Sequence, residues 1–234
     1  MKIGGFQKNT LIDFPGTIAC IVFTRGCNLY CPYCHNPELV AASAAGSGNI
    51  YEQDNVFKFL EKRKGLVEGV VISGGEPTLQ SGLEDFCQKI KDMGYRLKMD
   101  TNGTRPEIIE RLLAHRLLDF VAMDIKTVPE NYHMLSKEKP DPEKIYESIR
   151  ILMETAPDYE FRTTCVSPFI DMDIMENIGS MIKGARACIL QKCSRTVDVL
   201  DPEFLAGEDH FFSDDQMMKL QDIISGYVDK TFIR

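Results

Sequence analysis

Long apolar runs are missing from this sequence. The stretch at residues 18–23 is six residues long, against the roughly 20 that a membrane-crossing helix needs. The first 16 residues lack the apolar core of a signal peptide. An excess of positive charge is also missing: 27 Lys and Arg stand against 35 Asp and Glu, a net charge of −8. That balance disfavours a general nucleic-acid binder. Neither an internal repeat nor a domain linker is evident, and no His/Asp or Ser/His pairing offers a base beside a nucleophile. What remains is a cytoplasmic globular protein with no membrane or nucleic-acid partner. Its 234 residues, 44% hydrophobic and 26% charged, suit a single domain with a sizeable core.

Cysteine is the residue in surplus. There are eight, at 20, 27, 31, 34, 87, 165, 188 and 193. In a chain this long and in a reducing compartment, metal binding or catalysis is a better reading than a disulfide framework. Three crowd into RGCNLYCPYCHNP at 25–37, and the other five scatter. Cys20, Cys87 and Cys165 fall in apolar segments and read as small buried hydrophobes. Cys188 and Cys193 flank a late strand. For Cys27, Cys31 and Cys34 the spacing leaves two options open: zinc, with Cys20 or His35 as a fourth ligand, or a [4Fe–4S] cluster with one iron left free.

The chain alternates strands with helices. Apolar strands are expected at 17–24, 69–73, 95–100, 119–126, 159–166 and 185–191. Leu83, Phe86, Cys87 and Ile90 mark a helix face, as do Ile145, Ile149 and Leu152, then Ile174, Ile178 and Met181, then Met217, Leu220, Ile224 and Tyr227. Capping boxes are expected at Thr104/Glu107 and Ser213/Gln216, and an Asp141 cap before Pro142. Residues 41–49 (AASAAGSGN) read as a surface loop. Covered parallel strands in six units imply an α/β fold, either doubly wound or a partial barrel. Polar residues close every strand: Asp100, Thr101 and Asn102, then Asp124 and Lys126, then Arg162, then Gln191. A carboxylate at a strand end is often only a loop or helix-cap residue.

The pattern C-x3-C-x2-C, with Tyr33 before its last cysteine, resembles the cluster motif of radical S-adenosylmethionine (SAM) enzymes. Gly74-Gly75-Glu76-Pro77, at the end of the second strand, is similar to that superfamily's GGEP motif. Cys34-His35-Asn36-Pro37, the segment NTLIDFPG at 9–16 and Asp100-Thr101-Asn102-Gly103 resemble the glycyl-radical-enzyme activating enzymes. Among these the likeness is greatest to activating proteins of anaerobic ribonucleoside-triphosphate reductase. It runs from about residue 3 to Gln191.

The resemblance implies an open, TIM-like (βα)6 partial barrel forming one core domain over 1–234. It would carry an N-terminal extension at 1–16 and a helical tail at about 205–234. Cys27, Cys31 and Cys34 would hold one [4Fe–4S] cluster. Glu76 and its motif would hold the SAM amino group, and Lys126 would lie near the SAM carboxylate with Arg162 as a further ligand-binding residue. Asp100, Thr101, Asp124 and the carbonyl of Ala122 would hold a monovalent cation. The implied reaction is reductive cleavage of SAM to a 5′-deoxyadenosyl radical, which takes a hydrogen from a glycine of a partner enzyme. Reduced flavodoxin or ferredoxin would donate the electron. Alternatives are activation of pyruvate formate-lyase or another glycyl radical enzyme, a radical SAM enzyme acting on a small molecule such as a deazaguanine synthase, and a zinc or electron-transfer protein.

Overall fold

The computed structural model describes residues 1–40, 51–136, 140–206 and 210–234; the expected loop at 41–49 lies outside them. Eight strands form one sheet in chain order: β1 Ile3–Thr10, β2 Ala19–Thr24, β3 Gly69–Gly74, β4 Arg96–Thr101, β5 Phe120–Asp124, β6 Tyr159–Cys165, β7 Cys188–Lys192 and β8 Thr231–Ile233. β1 runs antiparallel to β2, and every later pairing is parallel. The six expected strands are β2–β7. The N-terminal extension contributes β1, and the tail adds β8 after its expected helix. Among the described residues no pairing joins β1 to β8, so the barrel stays open on one side.

Alternation along the strands separates two cores. Val70 and Ile72 of β3 and Leu97 and Met99 of β4 face the helices in the larger apolar cluster. Val71 of β3, Ala19 and Ile21 of β2 and Ala122 of β5 face the other way, with Phe14 and Phe120, into a smaller cluster on the concave side. Phe14 closes the floor there, its ring 6.1 Å from that of Phe120.

The described residues hold the helices α1 Pro37–Val40, beside the cavity, and α2 Gln53–Lys62, α3 Leu83–Asp92, α4 Pro106–Ala114, α5 Pro142–Thr155, α6 Met172–Met181 and α7 Asp214–Ser225, which cover the convex side. In α3, Leu83, Phe86, Cys87 and Ile90 are the buried face. Glu84 and Asp85 lie in its first turn and Lys89 and Lys91 in its last, matching the helix dipole. The Asp141 side chain caps α5 and the Ser213/Gln216 box caps α7. The Thr104/Glu107 box does not form. Arg105 precedes α4 without a side-chain cap, and the Thr104 hydroxyl instead accepts from Asn28 Nδ2 at 2.8 Å and donates to Asn102 Oδ1 at 2.6 Å. No helix among the described residues is long and apolar enough to cross a membrane.

Candidate active site

Parallel strands deliver their C-terminal ends to one mouth of the barrel. A cavity of about 410 Å³ opens there. Cys27, Cys31, Cys34, Tyr33, Gly74, Gly75, Glu76, Asp100, Thr101, Asn102, Asp124, Lys126, Arg162 and Gln191 all line it. Pro77 does not line it; it is buried and opens a 3₁₀ turn, and Ala122 and Cys20 are also outside the lining.

The cysteine segment leaves β2 at Thr24 and is tethered repeatedly as it wraps. Gly26 N–H donates to the Leu39 carbonyl at 2.8 Å, and Leu200 N–H donates to the Cys34 carbonyl at 3.1 Å. Asp201 N–H donates to the Pro32 carbonyl at 3.0 Å, and Ser136 Oγ donates to the Asn28 carbonyl at 3.1 Å. Leu29 N–H approaches Cys27 Sγ at 3.4 Å. Burial pushes the Cys27 thiol up to about 12 and the Cys31 thiol up to about 11. Both are therefore neutral thiols near pH 7 until a metal displaces the proton. The Tyr33 ring packs on Phe169 at 5.4 Å, and its buried hydroxyl faces the Cys31 thiol.

Among the described residues no three Cys, His, Asp or Glu side chains converge on a single ion position. Three thiols lining one cavity suit a [4Fe–4S] cluster, whose ligands bind separate irons and leave the fourth free. The other five cysteines are buried away from this mouth. Cys193 lines a separate cavity beside Lys192 and Arg195.

The Gly-Gly-Glu turn packs directly on the cysteine segment. Gly75 N–H donates to the Thr24 carbonyl at 2.9 Å, and Glu76 N–H donates to the Gly26 carbonyl at 2.8 Å. Gly74 has φ +104°, where a side chain is strained. Glu76 is fully buried. Its Oε1 accepts from Thr78 N–H (3.1 Å), Thr78 Oγ (2.5 Å) and Thr101 Oγ (2.8 Å), and its Oε2 accepts from Asn102 N–H (2.7 Å). Burial raises its carboxyl above the ordinary value, although all four bonds favour the charge. The Asn102 side chain continues the chain of contacts, donating to Asn28 Oδ1 at 3.0 Å, with Cys27 Sγ 3.9 Å away.

Deeper in the cavity lies an ion cluster. Arg162 Nε donates to Asp124 Oδ1 at 2.8 Å, and its NH1 sits 3.4 Å from Asp100 Oδ2. Lys126 Nζ is 3.0 Å from Asp124 Oδ2. Ser73 Oγ donates to Asp100 Oδ2 at 2.9 Å, and Lys98 Nζ to Asp100 Oδ1 at 2.7 Å. Burial opposes both carboxylate charges, but Arg162 with Lys98 or Lys126 outweighs it and holds both groups below the usual range. Lys98, Asn28, Thr78 and Ser73 were not singled out from the sequence. Only Lys98 carried a signal, lying two residues before Asp100 and so on the same strand face.

A family model for the radical SAM superfamily matches residues 21–178. A protein of Methanocaldococcus jannaschii named as a candidate glycyl-radical enzyme activating enzyme is 31% identical over 237 residues, covering 99% of this chain and 95% of that one. The pyruvate formate-lyase-activating enzyme of Listeria monocytogenes is 37% identical over 154 residues, 60% of each chain. Two solved structures share the fold. QueE from Escherichia coli has a TM-score of 0.55 at 14% identity, covering 100% of this chain and 93% of that one. Streptococcus suis SuiB bound to S-adenosylmethionine has a TM-score of 0.60 at 13% identity, covering 92% and 51%. With a superfamily match over most of its length and an activating-enzyme relative along nearly all of it, the chain belongs to the radical SAM superfamily and, within it, to the glycyl-radical enzyme activating enzymes.

Proposed function

We propose that residues 1–234 act as one radical SAM core that installs a glycyl radical in anaerobic ribonucleoside-triphosphate reductase. The observation that carries this reading is the meeting of Cys27, Cys31 and Cys34 with Gly74–Glu76 and Asp100–Asn102 around one cavity. Cys27, Cys31 and Cys34 would hold the [4Fe–4S] cluster, leaving one iron free for SAM. Bound there, the cluster supplies the electron that cleaves SAM, and the 5′-deoxyadenosyl radical so released takes a Cα hydrogen from the partner's glycine. Electrons come from reduced flavodoxin or ferredoxin.

The protein's own residues bind and orient. Lys126 and Arg162 face the SAM carboxylate, with Asp124 fixing both cations. Glu76 ties Thr101 and Asn102 to the cysteine segment, and its Oε2 retains acceptor capacity toward the SAM ammonium. Tyr33 and the apolar residues packed around it keep water from the inner side of the cluster. The open side of the sheet admits a glycine-bearing loop. Activation of pyruvate formate-lyase is the second reading, favoured by the Listeria relative.

Anaerobic reconstitution followed by dithionite and SAM tests the chemistry; 5′-deoxyadenosine and methionine are expected. Glycyl EPR on the two candidate partners then decides the substrate. A signal on pyruvate formate-lyase alone replaces the first reading by the second. Absence of 5′-deoxyadenosine from a fully loaded protein overturns both.

A further inference from the structure

In this protein the side chains that the resemblance implies as a cation set are engaged by protein partners. Asp100 and Thr101 are successive residues of β4, so their side chains leave the strand on opposite faces. The Thr101 hydroxyl is turned to Glu76 and also accepts from Gly103 N–H at 3.2 Å. Asp100 has both oxygens engaged, Oδ1 by Lys98 at 2.7 Å and Oδ2 by Ser73 at 2.9 Å, with Arg162 3.4 Å away. Asp124 is clasped by Arg162 and Lys126.

Lys98 is the unusual member. Its side chain is 1% exposed, and it stands between the Phe120 ring, 5.7 Å from Nζ, and Asp100. A buried ammonium is costly unless paired, and here Asp100 is its ion-pair partner. Lys98 thus supplies at Asp100 Oδ1 the positive charge that a monovalent cation would otherwise bring.

We propose that Lys98 is a built-in counter-cation: it replaces a bound monovalent ion at Asp100, so this protein binds SAM without one. This rests on the SAM-binding reading above and concerns the charge that supports it. Lys98 is a positioning residue, acting through Asp100 and Arg162 on the ligand.

The test is equilibrium binding of SAM to the anaerobically reconstituted protein in sodium, potassium or N-methylglucamine buffers of equal ionic strength. The wild type is expected to hold its Kd within about twofold across the three. Lys98→Met is expected to weaken binding by about tenfold in N-methylglucamine and to recover on adding potassium or sodium, whereas Lys98→Arg stays cation-independent. A wild-type Kd that needs sodium or potassium overturns the proposal. So does a Lys98→Met loss that is equal in every buffer, or no loss at all. Should Lys98→Met fail to fold by circular dichroism, the wild-type and Lys98→Arg series still decide. Wild-type protein that binds no SAM in any buffer instead overturns the functional reading itself.

Discussion

Gly75 lies so close to Gly26 that a Cβ on Gly75 would sit 2.1 Å from the Gly26 carbonyl oxygen. The glycine pair therefore serves backbone-to-backbone packing between the Gly-Gly-Glu turn and the cysteine segment. The sequence alone suggested a different use, close approach of backbone to a ligand. The Gly75 contact is with protein, and it sets where Glu76 and Cys27 stand relative to each other.

Gly75→Ala should consequently separate the two segments. Backbone cannot yield as a flexible side chain would, so a cost of about 1–3 kcal/mol is expected. Iron and sulfide retained after anaerobic reconstitution should fall well below wild type, with circular dichroism still showing an α/β protein. Full cluster retention in Gly75→Ala would mean that this contact does not position the cysteines.

Much of this arrangement was legible in the sequence because the governing signals are local. The strands β2–β7 are apolar runs, and the cysteine and glycine motifs sit at strand ends. β1 was not legible. IGGFQKNT carries two glycines, a lysine and an asparagine, and it lies at the sheet edge beside β2, with one further bridge from Ile3 to Tyr51. β8 has three residues, too few for a period to show. The Thr104 cap failed because its hydroxyl accepts from Asn28 Nδ2 and donates to Asn102 Oδ1. Lys98 was overlooked because an isolated strand lysine reads as solvated, whereas β4 turns it inward beneath Asp100.

Glu76 accepts four hydrogen bonds and donates none, which makes its charge state consequential. Glu76→Gln keeps the shape but puts an NH₂ against either Asn102 N–H or Thr78 N–H. A donor then faces a donor in a buried site, costing about 1–3 kcal/mol. Thermal melts of the protein without cluster should show the loss directly. SAM affinity of the reconstituted variant should fall too, because Thr101 and Asn102 lose their anchor. An unchanged melting temperature would mean that the four bonds contribute little.

The cysteines should separate cleanly by iron content. Cys31→Ala is expected to abolish both the brown chromophore and 5′-deoxyadenosine formation. Cys188→Ala and Cys193→Ser should leave iron and sulfide at wild-type levels, since neither side chain reaches the mouth of the barrel. Cys188→Ala does remove a buried group, so a melting temperature lowered by a few degrees is compatible with this outcome. Loss of iron from Cys193→Ser would reopen a ligand role for the late-strand pair.

Asp124 supplies a pH signature. Arg162 and Lys126 hold its carboxyl below the ordinary carboxylate range, against the effect of burial. A group with a depressed folded pKa stabilises fully above its unfolded value, about 3.9, and loses that contribution as pH falls through the folded one. Asp100 acts in the same direction. The protein without cluster should therefore melt at progressively lower temperature below about pH 5. Asp124→Asn leaves Arg162 with Asp100 as its nearest anion. At neutral pH it should cost about 2 kcal/mol, less than a wholly buried pair because Asp124 is partly open to the cavity. That corresponds to a melting temperature lower by about 4–8 °C. As pH falls, a protonated Asp124 comes to resemble asparagine, so the gap between the two proteins should narrow toward about pH 3. A constant gap from neutral to acid pH would show that Asp124 acts through shape and not through charge.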